Sequence, residues 1–341
     1  MRIGYWFPVF GGWLRNVADE GMDTSWAQAR RLARRSEALG FDLTLIAELF
    51  LNDIKGVLAP SLDAWTLAAA VAAVTERIEL MVAVRPSFHS PAIFAKQAAC
   101  VDQISGGRLA LNVVSSWWAD EARRFGVRFD AHDDRYARTA EWLAVLDGAW
   151  GGGCFSFSGQ YYQVEDLIVS PRPLRSPRPT LYAGGESEAA KALIARACDG
   201  YVMHGDPPAR VAPKIADMRR RRAALGLPAM RYGLAAYVIV RDSEAAAQAE
   251  LRRVTEVRPG SPGNQNYQEW IAHAQLEQQV SLADYSVSNR GLRAGLCGTP
   301  GQVAERIRGL EAAGVDLLLL QCSPQLEEME RFAAQVLPLL R

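Results

Sequence analysis

A closed (β/α)8 barrel is the fold this sequence predicts, and three observations carry it. Apolar runs too short for helices alternate with helix-period segments along almost the whole 341-residue chain. Eight such runs can each be followed by a helix, the repeat that closes a parallel barrel. Three helix-to-strand joints are alike, Gly40-Phe41-Asp42, Cys198-Asp199-Gly200 and Gly314-Val315-Asp316. Short joints of this kind stop a helix sharply before the next strand enters the sheet.

Ile3 to Phe7 is the first strand. Ser25 to Leu39 follows as a helix, with Trp26, Ala29, Leu32 and Ala33 on one face and Gly40 to end it. Then come strand Leu43 to Ile46, helix Ser61 to Val74, strand Ile78 to Val84, helix Pro91 to Ile104 and strand Leu109 to Val114, with Arg135 to Trp150 closing the fourth round. The second series pairs strand Thr180 to Ala183 with helix Glu186 to Ala197, and strand Tyr201 to Met203 with helix Pro208 to Ala224. Strand Leu234 to Val240, a helix from Ser243, strand Leu317 to Gln321 and a closing helix Leu326 to Leu340 complete it. One domain, 1–341, is therefore expected. Gly151 to Arg178, rich in Gly, Pro and Ser, and Pro259 to Arg293, polar with few apolar repeats, break the rhythm and read as insertions, the second as a mobile lid over the mouth. A doubly wound open sheet is the runner-up, but Gly11-Gly12 after the first strand lacks the third glycine of its phosphate turn.

Lys and Arg together number 38, as do Asp and Glu, so no basic face for nucleic acid is implied and a small-molecule task fits best. The five cysteines lack paired spacing, which suggests reduced, mostly buried thiols. No signal-peptide layout opens the chain and no apolar run reaches the roughly 18 residues of a spanning helix, so a cytoplasmic protein is expected.

Chemistry in such barrels gathers where strands end. Leu109 to Val114 empties into Ser115, Ser116, Trp117 and Trp118. Tyr182-Ala183-Gly184-Gly185-Glu186-Ser187 runs from a strand into a helix, where free N–H groups and the Ser187 hydroxyl can cradle phosphate, or Ser187 can simply cap the helix. Arg135 offers a planar fork for phosphate and Tyr136 an amphipathic wall. Trp6, Phe7, Trp117, Trp118, Tyr201 and Tyr237 fall in or just after strands and could line a flat slot for a ring system. No catalytic Ser-His-Asp, P-loop, HExxH or paired-cysteine motif occurs, and the four scattered histidines read as structural. A phosphate turn beside an aromatic slot suggests a nucleotide-like cofactor such as FMN.

The run Ala83 to Trp118, AVRPSFHSPAIFAKQAACVDQISGGRLALNVVSSWW, resembles the bacterial luciferase-like flavin monooxygenases, in particular their branches acting on sulfones, alkanesulfonates and pyrimidines. Further matches, in family order, are HDDRY (His132 to Tyr136), AGGES (Ala183 to Ser187), GLAAYVIVRD (Gly233 to Asp242), GTPGQVAERI (Gly298 to Ile307) and EEMERFAAQVLPLL (Glu327 to Leu340). The resemblance implies a (β/α)8 barrel that takes FMNH2 from a separate NAD(P)H:flavin reductase, uses O2 to oxygenate a small substrate, and assembles as a homodimer or homotetramer. It implies flavin contacts at Ala47, Glu48, Asn112, Glu121, Arg135, Tyr136, Gly184, Gly185 and Ser187, no metal, and Asn112, Trp117 and Tyr237 as candidate catalytic residues.

Departures from the sulfonate branch narrow the substrate. Its cysteine after the second strand is Ser61 here, its strand-seven arginine and histidine are Ala235 and Tyr237, and its late tyrosine is Ser323. An anionic sulfonate in a buried site needs such cationic partners. The expected substrate is a neutral sulfur compound of the sulfone type, cleaved at its C–S bond. Alternatives are an alkanesulfonate served by Arg85 or the lid arginines Arg290 and Arg293, an N-heterocycle of the pyrimidine type, a deazaflavin-dependent oxidoreductase, or a flavin binder without turnover.

Overall fold

The computed structural model describes residues 1–15, 17, 20–256, 267, 271, 281, 284, 285, 287 and 291–341. In chain order the elements are β1 (Arg2–Phe7), α1 (Trp26–Ala38), β2 (Leu43–Ile46), α2 (Ala64–Val74), β3 (Glu79–Val84), α3 (Pro91–Ser105) and β4 (Leu109–Val113). Next come α4 (Ala119–Arg124), α5 (His132–Trp150), β5 (Phe155–Ser158), β6 (Gln163–Leu167), β7 (Thr180–Ala183), α6 (Glu188–Ala197), β8 (Gly200–Met203) and α7 (Pro208–Ala224). The rest forms β9 (Arg231–Tyr237), β10 (Ile239–Val240), α8 (Glu244–Thr255), β11 (Cys297–Gly298), α9 (Pro300–Ala312), β12 (Leu317–Gln321), α10 (Gln325–Gln335) and α11 (Leu337–Leu340).

Eight parallel strands close into a barrel in the order β1, β12, β9, β8, β7, β4, β3, β2. Successive side chains in a strand point to opposite faces, so alternate residues fill the interior. Leu43, Leu45, Met81, Ala110, Tyr182, Leu317 and Leu319 form that inner layer, with Trp6 and Val202 packed on it. Continuing the same alternation toward the strand C-termini reaches Ala47, Asn112 and Gln321, so the sequence becomes polar where the barrel opens.

The three similar joints share one device. The Asp42 carboxylate accepts from Ile3 N at 2.7 Å while its carbonyl accepts from Glu79 N at 3.0 Å. Asp199 does the same for Leu181 N at 2.8 Å and Arg231 N at 3.0 Å, and Asp316 for Tyr232 N and Arg2 N, both at 2.8 Å. Each aspartate thus holds the strands on both sides of its own and satisfies N–H groups at the barrel base. This end is built for stability, away from the mouth.

Five features differ from the sequence reading. The helix expected from Arg135 begins at His132, and a short α4 precedes it. The Gly151 to Arg178 insertion contains an antiparallel hairpin of β5 and β6, whose Phe155 and Phe157 alternate with serines as a strand requires. The expected strand Leu234 to Val240 splits: β9 ends at Tyr237, and β10 leaves the barrel to pair with β11. Helix α9, fixed by a capping box of Thr299 and Gln302, supplies the connection to β12 that the pattern had not resolved. The cysteines are more exposed than expected, with only Cys198 and Cys322 buried among the five. Most of Pro259 to Arg293, the expected lid, lies outside the described residues, Arg290 included. Leu14 forms an isolated bridge with Val287 in that stretch. No described helix is long and apolar enough to cross a membrane.

On the outer face of β1, Tyr5 is fully buried with its hydroxyl 2.9 Å from Ser36 Oγ, and burial pushes its pKa from 10.0 up to about 12. The folded chain therefore holds a proton that the unfolded chain releases above pH 10, so this stabilisation is present below 10 and is lost as pH rises toward about 12. Urea unfolding at about pH 9 and about pH 11 should show a loss of about 1 kcal/mol in the wild type that Tyr5→Phe does not share. Equal pH dependence in the two proteins would exclude this role for Tyr5.

Candidate active site

The C-terminal mouth holds a cavity with an apolar floor of Trp6, Leu45, Ala83, Val202 and Ala235. Its walls come from the loops that leave the strands. Three arginines, Arg15, Arg85 and Arg135, and three carboxylates, Glu48, Asp53 and Glu186, line it. The arginines differ in how fully their charge is answered.

Arg15 pairs with Asp53 at 2.8 Å and lies 4.0 Å over the Tyr285 ring. Arg85, 2% exposed, is held by two carboxylates. Its Nη1 donates to Glu121 Oε2, its Nε lies 3.5 Å from Glu48 Oε2, and its own backbone N–H donates to Glu48 Oε2 at 2.7 Å. The second Glu48 oxygen is 2.6 Å from His89 Nε2, and the second Glu121 oxygen accepts from Phe50 N at 2.6 Å and Leu51 N at 3.1 Å. Phe88 packs against the guanidinium with its ring centre at 4.0 Å. The three charged residues stand just beyond, or one loop beyond, adjacent strands β2, β3 and β4.

Arg135 has no carboxylate within ion-pair distance among the described residues. Its Nε donates to Ser115 O at 3.2 Å and its Nη1 to Asp130 O at 2.9 Å, while the Asp130 carboxylate is taken by Arg128 and Arg138. Burial pulls the Arg135 pKa down, the mark of a cation that the protein desolvates. Beside it, burial raises the Tyr136 pKa, and the nearby Ser187, the N-cap of α6, offsets part of that rise. The turn between them admits only glycines. A Cβ on Gly184 would sit 2.8 Å from Val202 O, and one on Gly185 would sit 2.5 Å from Ala190 Cβ and 3.3 Å from the Tyr136 hydroxyl. Tyr201 fixes the turn by donating to Gly185 O at 2.9 Å. Helix N-terminus, bare backbone and an arginine without a carboxylate make a cradle for an anion.

Of the residues singled out by sequence, Ala47, Glu48, Asn112, Trp117, Arg135, Tyr136, Gly184 and Gly185 all line this cavity. Three others do not. Glu121 lies behind Arg85, with both oxygens engaged by Arg85 and by loop N–H groups. Ser187 accepts from Ala190 N at 3.2 Å as a cap and does not line the cavity. Tyr237 is buried in the core where β9 leaves the barrel wall, so Ala235 reaches the cavity and Tyr237 does not. Burial also holds the Tyr237 pKa well above 10, far from acid-base use near neutrality. In the expected aromatic slot, Trp6 and Trp117 remain, joined by Phe10 and Trp13, while Phe7, Trp118 and Tyr201 pack behind. Trp117 stacks on Trp118 at 5.5 Å with an interplanar angle of 6°. Sequence reasoning missed the Arg85 cluster and the cavity positions of His132 and His204. The available signal was charge placed directly after consecutive strands. Among the described residues, no group of three or more His, Cys, Asp or Glu could hold a metal ion.

Fold and site together define a barrel enzyme of the type that holds a phosphate-bearing cofactor at its mouth. Residues 1–317 match the family described as luciferase-like monooxygenase, and the chain belongs to that family. It is 35% identical over 358 residues, spanning 100% of this chain and 95% of the relative, to an FMNH2-dependent dimethylsulfone monooxygenase of Pseudomonas putida. A protein of the same name from Pseudomonas fluorescens (strain Pf0-1) is 32% identical over 349 residues, spanning 100% of this chain and 94% of that one. The fold matches riboflavin lyase with a TM-score of 0.83 at 21% identity, covering 100% of this chain and 91% of that structure.

Arg85→Met should lower stability by about 3 kcal/mol, because it leaves two carboxylates buried without their cation. Adding Glu48→Gln and Glu121→Gln should restore most of it. Urea midpoints measure both, and a loss under about 1 kcal/mol in the single variant would mean the carboxylates are not desolvated.

Proposed function

We propose that the protein is an FMNH2-dependent two-component monooxygenase that uses O2 to oxygenate a small neutral sulfone, supplied with reduced flavin by a separate reductase. The observation that carries this reading is Arg135, a buried arginine at the α6 cradle with no carboxylate partner among the described residues. The residues present fit FMN. Arg135, Tyr136 and the Gly184-Gly185 turn match a phosphate, and a side chain on either glycine would fill the cradle. Asn112 Oδ1 is buried without a hydrogen-bond partner among the described residues, as suits an amide that meets a ring edge. Trp6, Leu45 and Val202 offer flat apolar contact for the ring system.

Reduced FMN, when bound, supplies the two electrons with which one oxygen atom of O2 enters the substrate and the other leaves as water. The chain's part is to bind, to orient and to keep water out. Trp117, stacked on Trp118, lines the cavity with apolar surface, and keeping water from the cavity protects reduced flavin and oxygen from unproductive release of peroxide. Ser116, held at φ 59 between strand and tryptophans, aims the loop at some cost in strain. The two Pseudomonas relatives support the sulfone as substrate, and Ala235 in place of a cation supports its neutrality.

Arg135→Gln removes the phosphate's charge-assisted partner, at a cost of about 2 kcal/mol of FMNH2 binding, more than tenfold in Kd. Anaerobic titration with FMNH2 measures this, and a generic flavin reductase with dimethylsulfone and O2 measures turnover. An unchanged Kd would remove Arg135 from the cofactor site. The wild type failing to consume the sulfone would end the substrate assignment.

A further inference from the structure

We propose that Arg85 recognises a sulfone oxygen, and that Glu48 and Glu121 tune this arginine so that the site excludes anions. The proposal rests on the sulfone reading above and adds the residues that set selectivity. Arg85 lines the cavity, and once Nη1 is given to Glu121 and Nε lies against Glu48, Nη2 remains buried with no hydrogen-bond partner among the described residues. A buried donor on a charged group is costly to leave unpaired, so an occupant with an acceptor is favoured there. A sulfone presents two strongly polarised oxygens on a neutral molecule and two apolar flanks, which suits a donor set above an apolar floor.

The formal charge of the cluster decides what else can enter. One guanidinium faces two carboxylates, which sums to minus one with His89 neutral and to zero with His89 protonated. In neither case is it positive. A sulfonate has nearly the shape of a sulfone but carries a full charge, and at Arg85 it would meet two carboxylates already using that cation. Arg135 supplies the contrast within the same cavity, since among the described residues no carboxylate answers its charge. The cavity therefore has one end for an anion and another for a neutral polar group.

Equilibrium binding of dimethylsulfone and of methanesulfonate, its near-isosteric anion, should be measured by calorimetry under anaerobic conditions on the FMNH2-loaded wild type, Glu121→Gln and Glu48→Gln. Either glutamine keeps the shape and one of the two acceptor oxygens while removing one negative charge. Each variant should gain at least about tenfold in methanesulfonate affinity relative to dimethylsulfone. An unmoved ratio in both variants would overturn the proposal, and so would a loss of FMNH2 affinity with the ratio unmoved, which would assign the cluster to the flavin. If one variant does not fold, the other decides. If the wild type does not bind dimethylsulfone, the sulfone reading and Arg85 as its donor both fall, and anion exclusion is judged by whether the glutamine variants gain methanesulfonate binding.

Discussion

A guanidinium buried between two carboxylates is the constraint on which the mouth of this barrel depends. Removing such charges from water is expensive, and the arrangement holds only when geometry and hydrogen bonds are nearly complete. Here they are supplied by three neighbouring connections. Glu48 receives the Arg85 backbone N–H as well as its side chain, and Glu121 receives the N–H groups of Phe50 and Leu51. The loops after β2, β3 and β4 are thereby tied to one another through charge, and Phe50 and Phe88 cover the guanidinium. Cavity shape follows from this tie, because the same loops deliver Ala47, Glu48 and Arg85 to its wall.

The rest of the site is a graded use of one residue type. Arg15 is bound to Asp53 and stacked on Tyr285, and serves the loop after β1 as an anchor. Arg85 is balanced by its carboxylates. Arg135 is held by the Ser115 and Asp130 carbonyls and lies 4.5 Å from the Phe129 ring centre, with no carboxylate in ion-pair distance among the described residues. Neutral acceptors around one arginine and anionic ones around another give a single cavity two different affinities for charge.

Much of this was legible in sequence, and the limits have physical causes. The eight barrel strands appear as apolar runs because a strand buried on both faces leaves no polar alternation. The three aspartate joints were visible because the same geometric task, ending a helix and clamping two strands, selects the same residue. The Gly184-Gly185 turn and Arg135 were visible because phosphate binding restricts residue type and backbone together. Helix α9 escaped because its start signal is a capping box within a proline-containing turn, and the periodic segment behind it was read only as a resemblance. Strand parity places Tyr237 with Ala235, but Tyr237 is the last residue of β9 and packs into the core, which alternation alone does not show. Nothing in the sequence around Glu121 shows that Arg85 pairs with it ahead of the cavity, because pairing across loops is set by three-dimensional register.

The closure of the barrel has a consequence for how the chain is made. β1 is flanked by β2 and β12, and the amino terminus contacts Glu311, 310 positions away. Until that late stretch has been synthesised, the first strand, with Tyr5, Trp6 and Phe7, has one edge unpaired. At about 5 to 20 residues per second this interval lasts roughly 15 to 60 s. Bare strand edges template association with other chains, so the period of greatest hazard for this protein is fixed by the distance along the chain between its first strand and its last.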